Sequence, residues 1–283
     1  MRASAWVALA AFAALAGCGS PAAPGQGAAV KTAAPDAAPA AAAASVPERA
    51  WAYPVATVHP ALHLVGDSTM ADKPALPLHP ERGWGQLLRE FMQEPARVVN
   101  HAANGRSTKR FVDEQRWAHL LTQVQAGDVV VIQFGHNDQK ADDPKRYAAA
   151  DTDFKNYLRR FVAELRARQV VPVLATSVAR RKFDSAARVQ ETLAEYTRAT
   201  REVATELRVP LIDMDQRTRQ FLQQLGPEAS KPMFMWIPPG AYASLPQGRQ
   251  DDTHYVESGA RAAAKLAAQA LREQVSEVRP WLK

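Results

Sequence analysis

The run Val129-Val130-Val131-Ile132-Gln133-Phe134 limits the possible folds more than any other part of this chain. Its β-branched residues favour extended backbone, and apolar side chains on both faces of a strand must be covered from both sides. Such a strand belongs inside a parallel sheet rather than in a half-solvated antiparallel one. Four more short runs share the character, at 62–65, 97–100, 170–175 and 209–212. Helical spacing falls between and after them, at 84–91, 111–124, 154–165, 190–207 and 257–275. The last of these carries Ala260, Ala263, Ala264, Ala267 and Leu271 on one face, small enough to lie close on a sheet. Strands alternating with helices, joined by right-handed crossovers, predict an α/β fold: a three-layer α/β/α sandwich on a central parallel sheet of about five strands.

The first fifty residues read as export signal and tether. Met1-Arg2 leads into an apolar run too short to span a bilayer, which ends at Leu15-Ala16-Gly17-Cys18. This is similar to a bacterial lipoprotein signal, in which the cysteine becomes the lipid-modified first residue; the plainer alternative is secretion with a free thiol. Cys18 is the only cysteine among 283 residues, so an intramolecular disulfide and a Cys-based zinc cluster are excluded. The expected organisation is a signal at 1–17, an Ala/Pro-rich linker at 18–54 and one domain at 55–283. The domain is then expected to be exported and held at a membrane by lipid on Cys18. Gly19-Ser20, with no aspartate, resembles default sorting to the outer membrane of a diderm bacterium. The charge of +6 comes from 35 basic and 29 acidic residues that are interspersed, with no aromatic-basic module, so nucleic acid is not an expected partner.

In open α/β sheets ligands bind beyond the carboxyl ends of the strands, and four polar motifs fall there. Gly66-Asp67-Ser68-Thr69 places a serine at a strand-to-helix turn, suited to a nucleophile or to a helix cap. In Asn100-His101-Ala102-Ala103-Asn104-Gly105-Arg106-Ser107, Gly105 allows a close backbone approach, with an N–H free for an oxyanion or for nothing more than a loop. Gly135-His136-Asn137-Asp138 offers the Asn137 amide to the cleft, with His136 expected as a structural hydrogen-bonding group. Asp251-Asp252-Thr253-His254 sets a carboxylate three residues before a histidine in a tight loop. That spacing lets the acid hold Nδ1–H and leaves Nε2 to take a proton from serine. Asp252 is expected to cap the last helix, and Asp251 to orient His254. The Gly-x-Ser-x-Gly elbow of the α/β-hydrolases is absent.

Taken together, Gly66-Asp67-Ser68, the Gly105 loop, Gly135-His136-Asn137-Asp138 and Asp251-x-x-His254 resemble the four signature blocks of the SGNH (GDS-type) hydrolases, over roughly 62–271. Within that superfamily the chain is most similar to the rhamnogalacturonan acetylesterase group. The likeness rests on Val65-Gly66-Asp67-Ser68-Thr69-Met70, Gly83-Trp84-Gly85, Asn104-Gly105-Arg106-Ser107, Gln133-Phe134-Gly135-His136-Asn137-Asp138, Val178-Ala179-Arg180-Arg181 and Asp252-Thr253-His254-Tyr255. The resemblance implies the flavodoxin-like SGNH-hydrolase fold and a serine esterase that acts on an acetylated, pectin-like polysaccharide without metal or cofactor. It implies Ser68 as nucleophile, His254 as general base and then acid, and Asp251 as the orienting carboxylate. Ser68 N–H, Gly105 N–H and the Asn137 amide would form the oxyanion hole. A monomer is expected.

Arg180 and Arg181, just past the fourth strand, are candidates for binding uronate carboxylates, since guanidinium pairs with carboxylate in a bidentate fork. Trp84 is a candidate sugar platform, against a core role. Segment 225–249, with five prolines and the aromatic Phe234, Trp236 and Tyr242, is expected to shape the substrate cleft. Rival readings are a metal-dependent phosphoesterase, a lipase or thioesterase on short acyl esters, and a non-catalytic glycan-binding lipoprotein. Activity is expected to survive EDTA and to vanish in Ser68→Ala; loss with EDTA and retention in the variant would favour the metal enzyme.

Overall fold

The computed structural model describes residues 61–74 and 78–283. The expected signal at 1–17, the linker at 18–54 and Cys18 lie outside the described residues. In chain order the elements are β1 (Ala61–Gly66), β2 (Glu81–Arg82), α1 (Trp84–Leu87), β3 (Arg97–Asn100), α2 (Thr108–Asp113), α3 (Arg116–Leu121), β4 (Val129–Gln133) and α4 (Lys155–Arg166). There follow β5 (Val171–Ala175), α5 (Ala194–Leu207), β6 (Leu211–Ile212), α6 (Met214–Ala229), β7 (Phe234–Ile237), β8 (Arg249–Val256) and α7 (Glu257–Gln274).

Five strands form one sheet in the order β3-β1-β4-β5-β6, all parallel. The chain steps outward from β1 to β3, then crosses back to the other side of β1 for β4. A crevice opens at that reversal, beyond the strand ends. The two-sided apolar character of β4 is used as expected. Leu62, Leu64, Val129, Val131 and Val173 face the layer of α1, α6 and α7, while Val65, Val130, Ile132 and Leu174 face α2 to α5. The alanine face of α7 is buried in the first of these layers, and at its start Gly259 leaves room for the turn before β7: a Cβ there would stand 2.0 Å from the Met233 carbonyl oxygen.

Several boundaries differ from the sequence expectation. The helix expected at 111–124 is two short ones, broken where Gln115 takes a left-handed φ of 59°. The pattern at 84–91 is one α turn followed by a 3-10 turn, and α5 starts at Ala194 rather than near 190. Helix α6 was not anticipated; its apolar spacing is sparse, and it is kinked at Gly226 (φ 76°) before Pro227. Also unanticipated is a second, antiparallel sheet, β2-β8-β7. Its strands are short, polar or bracketed by prolines, so no apolar alternation announces them.

One buried polar chain ties the edge of the main sheet together. His63 on β1 lies 3.2 Å through Nε2 from Asp128 Oδ2, and 2.9 Å through Nδ1 from Nε2 of His101, just past β3. Burial, and after it the nearness of His63 and His119, pull the His101 pKa down to about 4. A histidine with a depressed folded-state pKa stabilises the fold fully above its unfolded value and loses that contribution as pH falls. The loss therefore runs from about pH 6.5 to about pH 4, on the order of 2–3 kcal/mol. In denaturant titrations His101→Asn is expected to lose less stability than wild type across that window; identical slopes would show that His101 contributes nothing to acid sensitivity.

Candidate active site

The site is assembled at the carboxyl ends of β1 and β4 and on β8. At the end of β1 the chain turns at once, because the Asp67 carbonyl accepts from the N–H groups of Met70 and Ala71. This turn presents Ser68, while Asp67 and Thr69 point inward and are buried. Asp67 Oδ1 accepts from Thr69 N–H (2.9 Å) and from the Thr69 hydroxyl (2.8 Å), and Oδ2 lies 3.2 Å from His136 Nδ1. Thr69 Oγ1 also accepts from Gln133 Nε2 at 2.9 Å, and Gln133 Oε1 accepts from Trp84 Nε1 at 3.1 Å. Burial would raise the Asp67 pKa, but His136 and the Thr69 donors outweigh it and hold the carboxyl below its usual range. Burial also lowers the pKa of His136, against the pull of the Asp67 carboxylate beside it.

His254 arrives from the second sheet. In the β7–β8 pairing Phe234 opposes Tyr255 while the next residue, Met235, opposes Asp251, so Asp252, Thr253 and His254 bulge out of the strand. The tight loop expected at 251–254 is thus a bulge within β8. Ser68 Oγ and His254 Nε2 are 2.8 Å apart, and His254 Nδ1 is 2.7 Å from Asp251 Oδ2. Asp251 Oδ1 accepts from the N–H groups of Thr253 (2.7 Å) and His254 (3.1 Å). Burial opposes ionisation of Asp251, yet the His254 contact and these two donors hold its pKa well below the carboxylate norm. Serine, imidazole and carboxylate therefore stand in line, 186 and 3 residues apart in sequence.

The expected oxyanion donors lie on neighbouring loops. Ala103 N–H donates to the Gly66 carbonyl (3.0 Å), which ties the Gly105 loop to the end of β1, and Gly105 holds φ at +73° with open space where a Cβ would be. Asn137 Nδ2 donates to the Arg106 carbonyl at 3.1 Å. Among the described residues, the N–H groups of Ser68 and Gly105 make no hydrogen bond. Asp138 anchors this corner by accepting from Thr108 N–H and Oγ1 at 2.8 and 2.6 Å, and from Gly135 N–H at 3.0 Å. Its burial pushes the pKa up to about 7.

Two candidate substrate contacts are corrected. Trp84 is fully buried and donates to Gln133, so it offers no face to a sugar. Arg181 is an internal strut: Nε donates to Asp252 Oδ1 and Nη1 to the Pro227 carbonyl, both at 2.8 Å, and its guanidinium lies over Trp236. Asp252 caps no helix; its carboxylate takes Arg181 and the Trp236 indole N–H, which fastens the bulge. Arg180 remains half-buried at the cleft, bonded to Thr192 Oγ1 (3.1 Å) and within electrostatic reach of Asp67 and Asp251. The sequence reading missed Arg249, which pairs with Asp251 Oδ2 and, at 3.3 Å, with Glu81 Oε2. Glu81 in turn holds the buried Lys73 at 2.7 Å, and Lys73 bonds Asn104 of the Gly105 loop. These partners are up to 168 residues apart, and no local motif connects them.

A family model described as GDSL-like Lipase/Acylhydrolase matches residues 64–262. The chain is 40% identical over 210 residues to the rhamnogalacturonan acetylesterase RhgT of Bacillus subtilis, covering 74% of this chain and 88% of that protein. It is 32% identical over 215 residues to the probable rhamnogalacturonan acetylesterase YesY of the same organism, covering 75% and 92%. Among solved structures, the protein YxiM of Bacillus subtilis superposes with a TM-score of 0.65 at 25% identity, over 78% of this chain and 57% of that one.

Thr69→Val is expected to leave Asp67 and Gln133 each short of a partner at a cost of ~1–3 kcal/mol. Thr69→Ser should retain both bonds. Equal unfolding midpoints for the valine variant and wild type would show that the buried chain contributes little.

Proposed function

This chain belongs to the GDSL-like lipase/acylhydrolase family, and on that footing we propose that it is a serine esterase removing O-acetyl groups from a rhamnogalacturonan or similar pectin-like polysaccharide. The observation that carries the proposal is the continuous hydrogen-bonded line Ser68–His254–Asp251, in a chain 40% identical to a rhamnogalacturonan acetylesterase.

In this reading Ser68 Oγ bonds to the acetyl carbonyl carbon as its proton passes to His254 Nε2. Asp251 keeps Nδ1–H in place and stabilises the imidazolium that forms. The negative oxygen is received by Ser68 N–H, Gly105 N–H and Asn137. The Asn137 amide carries two N–H groups, and the bond to the Arg106 carbonyl uses only one. Collapse breaks the bond to the sugar oxygen, which leaves with the proton from Nε2. Water then repeats the sequence on the acetyl-serine, releases acetate and restores the serine. In the same reading Arg180, just past the end of β5, meets a uronate carboxylate of the glycan.

Export and anchoring complete the proposal. The Leu15-Ala16-Gly17-Cys18 pattern supports a lipid on Cys18, with the domain held at the cell envelope by the linker. One chain supplies all three catalytic side chains, which supports action as a monomer.

The test is acetate release from acetylated rhamnogalacturonan, other pectins and xylan. Pectin-type substrates are expected to be preferred, and Asn137→Ala is expected to lower kcat by roughly 10²–10³ with little change in KM. Equal turnover of xylan would overturn the substrate assignment, and a near-normal kcat would take Asn137 out of the oxyanion hole.

A further inference from the structure

The Asn137 loop runs on into a surface groove that the esterase chemistry leaves unused. The groove has a volume of about 420 Å³, within the range of small-ligand sites, and is lined by Gln139, Tyr147, Glu191, Thr192, Glu195 and Tyr196. Its first lining residue stands two positions beyond Asn137, and several bonds tie its walls to the loop that carries Asn137. Arg146 Nη1 reaches Asn137 Oδ1 at 3.4 Å, and Ala148 N–H donates to the Asp138 carbonyl at 3.1 Å. Tyr196 Oη shares its one proton between the carbonyls of Asp138 (3.0 Å) and Ala148 (2.9 Å). Arg180 bonds Thr192 and the Gln139 amide oxygen on the groove side and lies within electrostatic reach of Asp67 and Asp251.

Tyr147 gives the groove its chemistry. Its side chain flanks the opening and is 39% exposed, and its ring stacks on no other ring among the described residues. A large aromatic left in water offers a flat apolar face with a polar tip. The other groove near the catalytic acid lacks this feature, because its Trp236 is covered by Arg181 and Lys231 at 4.9 and 5.1 Å. On the groove wall the Glu195 carboxylate, which makes no hydrogen bond among the described residues, accepts from hydroxyl groups and repels an anionic ring, whereas Glu191 already accepts from Thr197 Oγ1 at 3.0 Å and lies 3.8 and 4.0 Å from Arg201 and Arg219. The combination suits a pyranose that is apolar on its C–H face, rich in hydroxyls and uncharged.

We propose that this groove is a subsite for an uncharged sugar ring of the substrate glycan, next to the residue being deacetylated, with Tyr147 as its stacking platform. The proposal rests on the polysaccharide-esterase reading. A neutral ring in the groove and a carboxylate at Arg180 would together set the direction in which the glycan crosses Ser68.

The test compares wild type, Tyr147→Ala and Tyr147→Trp on an acetylated pectic polysaccharide and on 4-nitrophenyl acetate, which is too small to enter the groove and the nucleophile site together. Tyr147→Ala is expected to raise KM on the polysaccharide by roughly threefold to tenfold. It should leave kcat/KM on the small ester within twofold of wild type, and Tyr147→Trp should restore polysaccharide KM. An unchanged polysaccharide KM in Tyr147→Ala, or an equal loss on both substrates, would overturn the subsite alone. Wild-type turnover of 4-nitrophenyl acetate with no acetate from any polysaccharide would overturn the substrate reading and the subsite with it.

Discussion

The buried carboxylate of Asp67 is the point on which the active site depends. It stands at the end of β1, where the sheet has no further strand hydrogen bonds to direct the chain, and it gathers donors from its own turn and from the loop after β4. Through Thr69 and Gln133 the same chain of bonds reaches Trp84 at the start of α1. A carboxylate with no exposure persists only if its lone pairs are filled, so every partner is constrained to one geometry. The turn that carries Ser68 is therefore held from behind, and the serine faces the cleft because its neighbours on both sides cannot.

The imidazole comes from a different layer, and its placement follows a different physical rule. A regular β8 would send alternate side chains to opposite faces and leave no route for a histidine and its acid to meet along one edge. The bulge removes that restriction. Asp251 folds back onto the N–H groups of Thr253 and His254, while Arg181 and Trp236 hold Asp252 from the opposite side. Arg181, expected to meet the substrate, thus acts one step away from it.

Much of this was legible in the chain. The doubly apolar β4 announced a buried parallel strand, and the five short runs match the five strands of the main sheet to within a few residues. The serine at a strand end and the carboxylate near a histidine were visible as short-range patterns, but each also read as cap or turn, and the roles of Ser68, His254 and Asp251 followed from the resemblance of the four motifs taken together to the SGNH hydrolases. Helix α6 and the sheet β2-β8-β7 were not legible, because two-residue strands and proline-bracketed ones carry no periodicity. Trp84 shows the same limit: an aromatic beside glycines reads equally as a platform or as core, and only the neighbours that cover it decide.

By itself, then, the sequence determined the α/β class, the order of the sheet-forming segments, and the serine, histidine and carboxylate that fall at their ends. Each of these follows from side-chain periodicity or from groups a few residues apart. The tertiary structure decided that Arg181 is a buried strut, how β8 bulges to deliver His254, and how Arg249, Glu81 and Lys73 link the catalytic acid to the Gly105 loop. It also left Tyr147 exposed while enclosing Trp84. Those outcomes rest on contacts between residues tens to hundreds of positions apart, and such contacts exist only once the layers have packed.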